Sequence, residues 1–256
     1  MPPAPGDLGP ASAQGARGWL AYFDRLGSSP VHLAQAAHYV RSLDAEVGLE
    51  PTQRVLDVGC GAGAVAALLA PRVAEIWWWD PSPNMRSLAE GSTGDHPNAR
   101  FCDLGAAPSG PGDGAPLGAP FDLILVNSVA QYMAPEELRG WLPRWRRMLA
   151  PNGRVVISDL IPPSHSSSFD IVDLFRFGVR HGSPIRVVRD SLGDVREYRR
   201  TSRDVPLVRV GIQELTAHAA EAGLETEALP RNLTHFRKRW TAILRPRAEN
   251  GAAGSP

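Results

Sequence analysis

Apolar residues recur along the chain in two alternating rhythms. From Val31 to Val47, Leu33, Ala36, Ala37, Val40, Leu43 and Val47 fall at helical spacing. Arg54–Val58 is then a short apolar strand, Ala62–Ala70 a small-residue helix stopped by Pro71, and Glu75–Trp79 a second strand. Pro83–Glu90 reads as a short helix, Arg100–Cys102 as a short strand and Asp122–Val126 as a strong one. Pro135–Leu149 carries Leu138, Trp141, Leu142, Trp145 and Met148 on one helical face. Pro151-Asn152-Gly153 turns the chain into the strand Arg154–Ser158. After an interruption, Gln213–Ala222 is a helix ended by Gly223, and Leu224–Ala228 and Arg239–Leu244 are strands. The alternation predicts an α/β fold, a parallel sheet wrapped by helices. The short Pro230–Lys238 connection predicts an antiparallel pair at its end.

Composition narrows the chemistry. Of the 27 basic residues in this 256-residue chain, Lys238 is the only lysine. Schiff-base catalysis needs an amine nucleophile, and a P-loop needs Gly-Lys-Ser/Thr; Lys238 lies between Arg237 and Arg239. Reductases of the short-chain type use Tyr-x-x-x-Lys, and position 234 is Thr. Zero net charge argues against a dedicated nucleic-acid binder. No apolar run approaches the roughly 18–20 residues of a membrane-spanning helix. Met1–Gly18 lacks the basic start and apolar core of a secretory signal. Cys60 and Cys102 form neither a metal-ligand spacing nor a disulfide framework, which fits a reducing cytoplasm. The expected organisation is one domain over 19–245, an insertion at about 160–205, and disordered ends at 1–18 and 246–256. A Gly/Pro-rich loop spans Gly105–Pro120.

The chemistry gathers where the first strand runs through Asp57-Val58-Gly59-Cys60-Gly61-Ala62-Gly63 into a helix. Glycines there let the backbone turn tightly and approach a ligand. Twenty-one residues after Gly59, Asp80 ends the second strand, where a carboxylate can bind the two hydroxyls of an adenosine ribose. Gly59-x-Gly61-x-x-Ala64 also satisfies the dinucleotide fingerprint. Asp57, close to where a pyrophosphate would lie, suits instead a cofactor with a cationic amine and no phosphate.

In this stretch the chain resembles the class I S-adenosylmethionine-dependent methyltransferases. Val-Leu-Asp-Val-Gly-Cys-Gly-Ala-Gly, residues 55–63, is similar to their first motif. Asp80-Pro81-Ser82-Pro83-Asn84-Met85 resembles the segment whose acidic residue holds the ribose, and Phe101-Cys102-Asp103-Leu104 the one that meets the adenine amine. Phe121–Ser128 resembles the fourth-strand motif beside the methionine part of the cofactor, and Met148–Arg154 the approach to strand five. The resemblance implies S-adenosyl-L-methionine as cofactor and a Rossmann-like sheet of seven strands, the last antiparallel. It implies cofactor contacts at Asp57, Gly59, Cys60, Gly61, Asp80, Pro81, Asp103, Leu104 and Asn127. Structural readings stand beside these: Asp80 as a helix N-cap before Pro81, Asp103 as a cap. Trp78 stands where the family often has a small residue, Gly105–Pro120 replaces a shorter stretch, and Gln131-Tyr132 stands where many relatives carry His.

The acceptor side falls outside the motifs, in Tyr22–Tyr39 and in the insertion. His165 and His38 are the candidate bases, with His181 behind them. Arg176–Arg209 holds nine arginines against Asp190, Asp194, Glu197 and Asp204. That excess is either a solvated face or a surface for an anionic acceptor: a carboxylate, a phosphate or an acidic carrier protein. The expected activity is methyl transfer to a small-molecule acceptor. An RNA or protein methyltransferase, an NAD-dependent oxidoreductase and a non-catalytic cofactor-binding protein are the alternatives.

Overall fold

The computed structural model describes residues 18–24, 30–105, 120–180, 201 and 205–248. A short helical segment at 18–23 precedes helix α1 (Pro30–Val47). There follow β1 (Arg54–Val58), α2 (Ala64–Leu69), β2 (Glu75–Trp79), α3 (Pro83–Thr93), β3 (Ala99–Phe101) and β4 (Phe121–Asn127). Next come α4 (Pro135–Met148), β5 (Leu149–Leu160), α5 (Ser167–Arg180), α6 (Ile212–Glu221), β6 (Leu224–Ala228) and β7 (Trp240–Pro246). The seven strands form one sheet in the order β3-β2-β1-β4-β5-β7-β6. β1 through β5 pair in parallel, and β7 runs antiparallel to both β5 and β6. The order turns back between β1 and β4, which opens a crevice at the carboxyl ends of those strands.

Both faces of the sheet are buried, so the central strands carry apolar residues at successive positions rather than alternate ones. Leu56, Val58, Ile124, Val126, Val155 and Ile157 pack under Trp141, Trp145 and Leu215 of α4 and α6. Val55, Leu123, Leu125, Val156 and Ile243 pack under Tyr39 and Leu43 of α1 and Ala66 and Leu69 of α2. The tryptophans of β2 follow the same rule. Trp78 is buried against the α1 and α2 side, while Trp79 lies 5.8 Å from Trp141, centroid to centroid, on the other. Leu33, at the start of α1, is exposed.

Three expectations shift. β5 begins at Leu149 rather than Arg154, because Pro151-Asn152-Gly153 is an irregularity inside the strand. A Cβ at Gly153 would come within 2.6 Å of the Phe121 carbonyl oxygen, so only glycine passes there. The expected insertion contains a 14-residue helix, α5, fixed by Asp173 and Phe177 on its buried side. β7 runs on to Pro246. His181, Arg199 and Arg200, most of the Gly105–Pro120 loop and most of both ends lie outside the described residues. Among the described residues, no helix is long and apolar enough to cross a membrane.

The glycine loop is set by helix packing as well as by its turn. Gly63 caps α2 at φ +80°, and a Cβ there would lie 2.8 Å from Ala89 Cα of α3. At Gly61, φ +54°, a Cβ would meet nothing within 4 Å. Gly63→Ala is therefore expected to cost about 2–5 kcal/mol, the left-handed backbone plus overpacking. Gly61→Ala should cost only the backbone share, about 1–2 kcal/mol. Urea unfolding of the two variants checks the difference.

Candidate cofactor and acceptor site

The loop from β1 to α2 is held by its neighbour β2. The N–H groups of Gly59 and Cys60 both donate to the Trp79 carbonyl, at 2.7 and 3.0 Å. Gly59 is at φ +72°, and a Cβ on it would meet Val129 at 2.5 Å, so the turn after β4 closes directly over this loop. Gly61 N–H donates to Asp80 Oδ2 at 2.9 Å, and Ser82 N–H to Asp80 Oδ1 at 2.9 Å. The N-cap of α3 is Ser82, whose hydroxyl accepts from Met85 N–H at 3.2 Å, with Pro83 in the first turn. Asp80 is thus not the helix cap. Its carboxylate spans the ends of β1 and β2 and keeps acceptor capacity beyond those two bonds.

Asp57, at the end of β1, is 2% exposed, and its Oδ2 has no hydrogen-bond partner. Burial, reinforced by the nearby Asp80 charge, pushes its carboxyl up to about 7. Burial raises Asp80 too, against the N–H groups of Ser82 and Gly61 and the Arg86 charge, which hold it down. The Cys60 thiol is raised by the same burial and by both acids. Asn127 Oδ1 at the end of β4 and Gln131 Oε1 in the short 3-10 turn that follows (Ala130–Tyr132) are also buried without partners. A buried acceptor left unpaired is costly, and a ligand or a bound water satisfies it. The set suits a cation with hydrogen-bonding groups near Asp57 and Asn127, and it is hostile to a phosphate.

The remaining candidates divide. Asp103 is exposed and its Oδ1 accepts from Gly105 N–H at 2.9 Å, a local turn. Leu104 is buried beside it, and Pro81 is exposed. Residues 18–24 reach over this end of the sheet. Ser82 donates its hydroxyl to Asp24, Asn84 donates to the Phe23 carbonyl, and Trp19 and Phe23 pack on Tyr132 at 4.7 and 5.1 Å between centroids. Burial pushes the Tyr132 phenol up. The two candidate bases lie apart from the glycine loop. His165 Nε2 sits 3.0 Å from Asp170 Oδ1, at an angle too oblique for a hydrogen bond. His38 faces Phe177 at 5.9 Å.

Sequence reading missed a buried polar cluster at the ends of β5 and β7. Arg239, 6% exposed, donates through Nη1 to Asp159 (2.9 Å) and through Nη2 and Nε to Asp170 (2.8 and 3.3 Å). Asp159 also takes Ser128, Asn232 and Thr234. Nearby, His235 lies 4.7 Å from Phe177, ring to ring, and burial pulls its imidazole down to about 4. Partners 69 to 80 residues apart leave no local pattern to find. No group of three or more metal-ligating side chains occurs among the described residues.

A family model described as a methyltransferase domain matches residues 56–155. A protein-L-isoaspartate O-methyltransferase of Anaeromyxobacter dehalogenans is 32% identical over 160 residues, covering 54% of this chain and 69% of that protein. A trans-aconitate 2-methyltransferase of Delftia acidovorans is 32% identical over 161 residues, covering 60% of this chain and 56% of that protein. Both matches thus span only part of the relative's length. The N-methyltransferase NodS from Bradyrhizobium japonicum, solved with S-adenosylhomocysteine, superposes with a TM-score of 0.51 at 18% identity, covering 91% of this chain and 96% of that one. That likeness is one of fold.

The buried cluster generates a stability prediction. Arg239→Ala leaves Asp159 and Asp170 without their cation and is expected to cost about 3–5 kcal/mol. Arg245→Ala removes a half-exposed partner of Glu227 and should cost about 0–1 kcal/mol. Equilibrium unfolding in urea at neutral pH compares the two.

Proposed function

The chain belongs to the class I S-adenosylmethionine-dependent methyltransferases, and on that premise we propose that it methylates a small-molecule acceptor by in-line displacement. The observation that carries the reading is the buried, unpartnered carboxylate oxygen of Asp57 beside Asp80. Asp57 faces the ammonium group of the cofactor, Asp80 its ribose hydroxyls, and Asn127 its methionine end. The Gly59–Gly63 backbone gives close approach, with Cys60 and Pro81 flanking it, and Asp103 and Leu104 stand on the adenine side. The bound cofactor supplies a methyl group on a sulfonium, already joined to a good leaving group. The chain's own contribution is alignment and a dry site, on the order of several kcal/mol. Trp19, Tyr22, Phe23 and Tyr132 supply an apolar wall at the ends of β2 and β4.

An amine or other strong nucleophile needs no base, whereas a hydroxyl does. His165, packed against Asp170, and His38, beside Phe177, are not assigned that role. The aromatic segment across the crevice favours a small acceptor over a folded protein. A protein acceptor, as the name of the isoaspartate methyltransferase relative implies, is the second reading. The arginine excess of the insertion supports an anionic or carrier-bound acceptor. Free Cys60 and Cys102 go with a cytoplasmic setting.

Two outcomes test this reading. S-adenosylmethionine and S-adenosylhomocysteine should raise the melting temperature, with about 2.7 kcal/mol of stabilisation at a hundred times Kd. NAD(H) should not, and Asp80→Ala should abolish the shift; stabilisation by NAD alone would overturn the reading. The second is a pH dependence. Asp57 keeps its proton up to about pH 7 in the folded, cofactor-free chain, while its unfolded value is about 3.9. Between those values the folded state holds the extra proton, so stability falls as pH rises from about 4 to 7. Binding of an ammonium group reverses the preference, so S-adenosylhomocysteine affinity should drop roughly twenty-fold from about pH 7.5 to 5.5. Asp57→Asn should flatten that profile while stabilising the cofactor-free chain above pH 7; an unchanged profile in the variant would remove Asp57 from the site.

A further inference from the structure

Among the described residues, two that are not glycine adopt positive φ: Ser128 at 59° and Asp159 at 73°. Both sit just past the last pair of the β4–β5 ladder, Asn127 with Ser158; Asp159 lies at the irregularity in β5 before Leu160, which pairs with Trp240 of β7. Two hydrogen bonds tie Ser128 to the β5 side, one of them to Asp159 itself. Ser128 N–H donates to the Ser158 carbonyl at 3.2 Å, and Ser128 Oγ donates to Asp159 Oδ2 at 2.9 Å. Left-handed backbone at residues with a Cβ persists only where the surroundings over-determine it, and such strain gathers at functional sites.

The surroundings here do over-determine it. Asp159 Oδ2 accepts from Ser128 and from Arg239 Nη1, and Oδ1 accepts from Asn232 Nδ2 at 2.9 Å and Thr234 Oγ1 at 2.7 Å. A carboxylate offers about four acceptor sites, and all are taken. Asp159 therefore has no capacity left to act as a base. It is a rivet joining the end of β4, the approach to β7 and, through Arg239 and Asp170, helix α5. What the rivet holds at the β4 end is the turn that carries Asn127, with its unpartnered buried Oδ1, and Val129, which closes on Gly59.

We propose that Ser128 and Asp159 are positioning residues: the Ser128–Asp159 clamp fixes the Asn127 carboxamide against the methionine end of the cofactor. The left-handed backbone at Ser128 comes one residue after Asn127, where the chain leaves β4. The proposal rests on the reading that Asn127 contacts the cofactor, and its test separates the two.

The test is S-adenosylhomocysteine binding by calorimetry, with thermal unfolding of the ligand-free protein alongside. Asp159→Asn would remove one of the two carboxylates that hold the buried Arg239 and confuse folding with positioning, so Ser128 is the residue to change. Ser128→Gly removes the hydroxyl while accepting the left-handed backbone without strain. Its melting temperature should stay near that of the parent, while its affinity falls by about ten-fold. Ser128→Ala should lose as much affinity and some stability as well. Asn127→Ala should also weaken binding by about ten-fold, and adding Ser128→Gly to it should do nothing more. Losses that multiply in the double variant, or an unchanged affinity in Ser128→Gly, would overturn the clamp and leave the Asn127 contact standing. An unchanged affinity in Asn127→Ala would overturn that contact, and the clamp's role with it.

Discussion

Everything at the carboxyl end of this sheet answers to two buried acidic groups on neighbouring strands. Asp80 is partly neutralised by the N–H groups of Gly61 and Ser82. Asp57, deeper and with an unpartnered oxygen, is not. Burying a carboxylate without a partner is unfavourable enough that it keeps its proton until near neutrality. The ligand-free molecule therefore carries an electrostatic cost at physiological pH that a cation bound beside Asp57 removes. A phosphate placed beside that charge would gain nothing from it.

The remaining architecture keeps that crevice in register. Trp79 at the end of β2 holds the Gly59 and Cys60 amides. Gly63 lets α2 and α3 approach more closely than any side chain would permit. On the far side, Arg239 ties α5 to β5 through two acids. Buried ion pairs of this kind contribute less to stability than their geometry implies, because desolvation offsets much of the attraction. Their effect here is on placement. Helix α5 cannot shift without disturbing Asp159, and Asp159 holds Ser128 at the end of β4. Helix α5 and the end of β4 are thereby joined by side chains rather than by sheet hydrogen bonds alone.

How much of this was legible in the chain depends on how local each feature is. The glycine loop and Asp80 lie within 24 residues, Asp57 to Asp80, and the apolar runs of β1, β2 and β4 mark their strands without ambiguity. The N-cap reading of Asp80, an alternative to ribose binding, falls to Ser82, which stands one step before Pro83 in the first turn. Helix α5 left no clean stripe. Phe169, Val172, Phe175 and Val179 are exposed while Asp173 and Phe177 are buried, so its apolar residues run around the helix. The clamp was invisible for a different reason: Ser128, Asp159, Asn232 and Arg239 are common residue types whose meaning comes only from folding.

The most direct test of the electrostatic account is the number of protons released when S-adenosylhomocysteine binds at about pH 6.5. Calorimetry in buffers of different ionisation enthalpy measures it. If Asp57 gives up its proton to face the ligand's ammonium group, release should be roughly 0.7 proton per chain, and close to zero in Asp57→Asn. Binding by the parent protein without proton release would contradict the account.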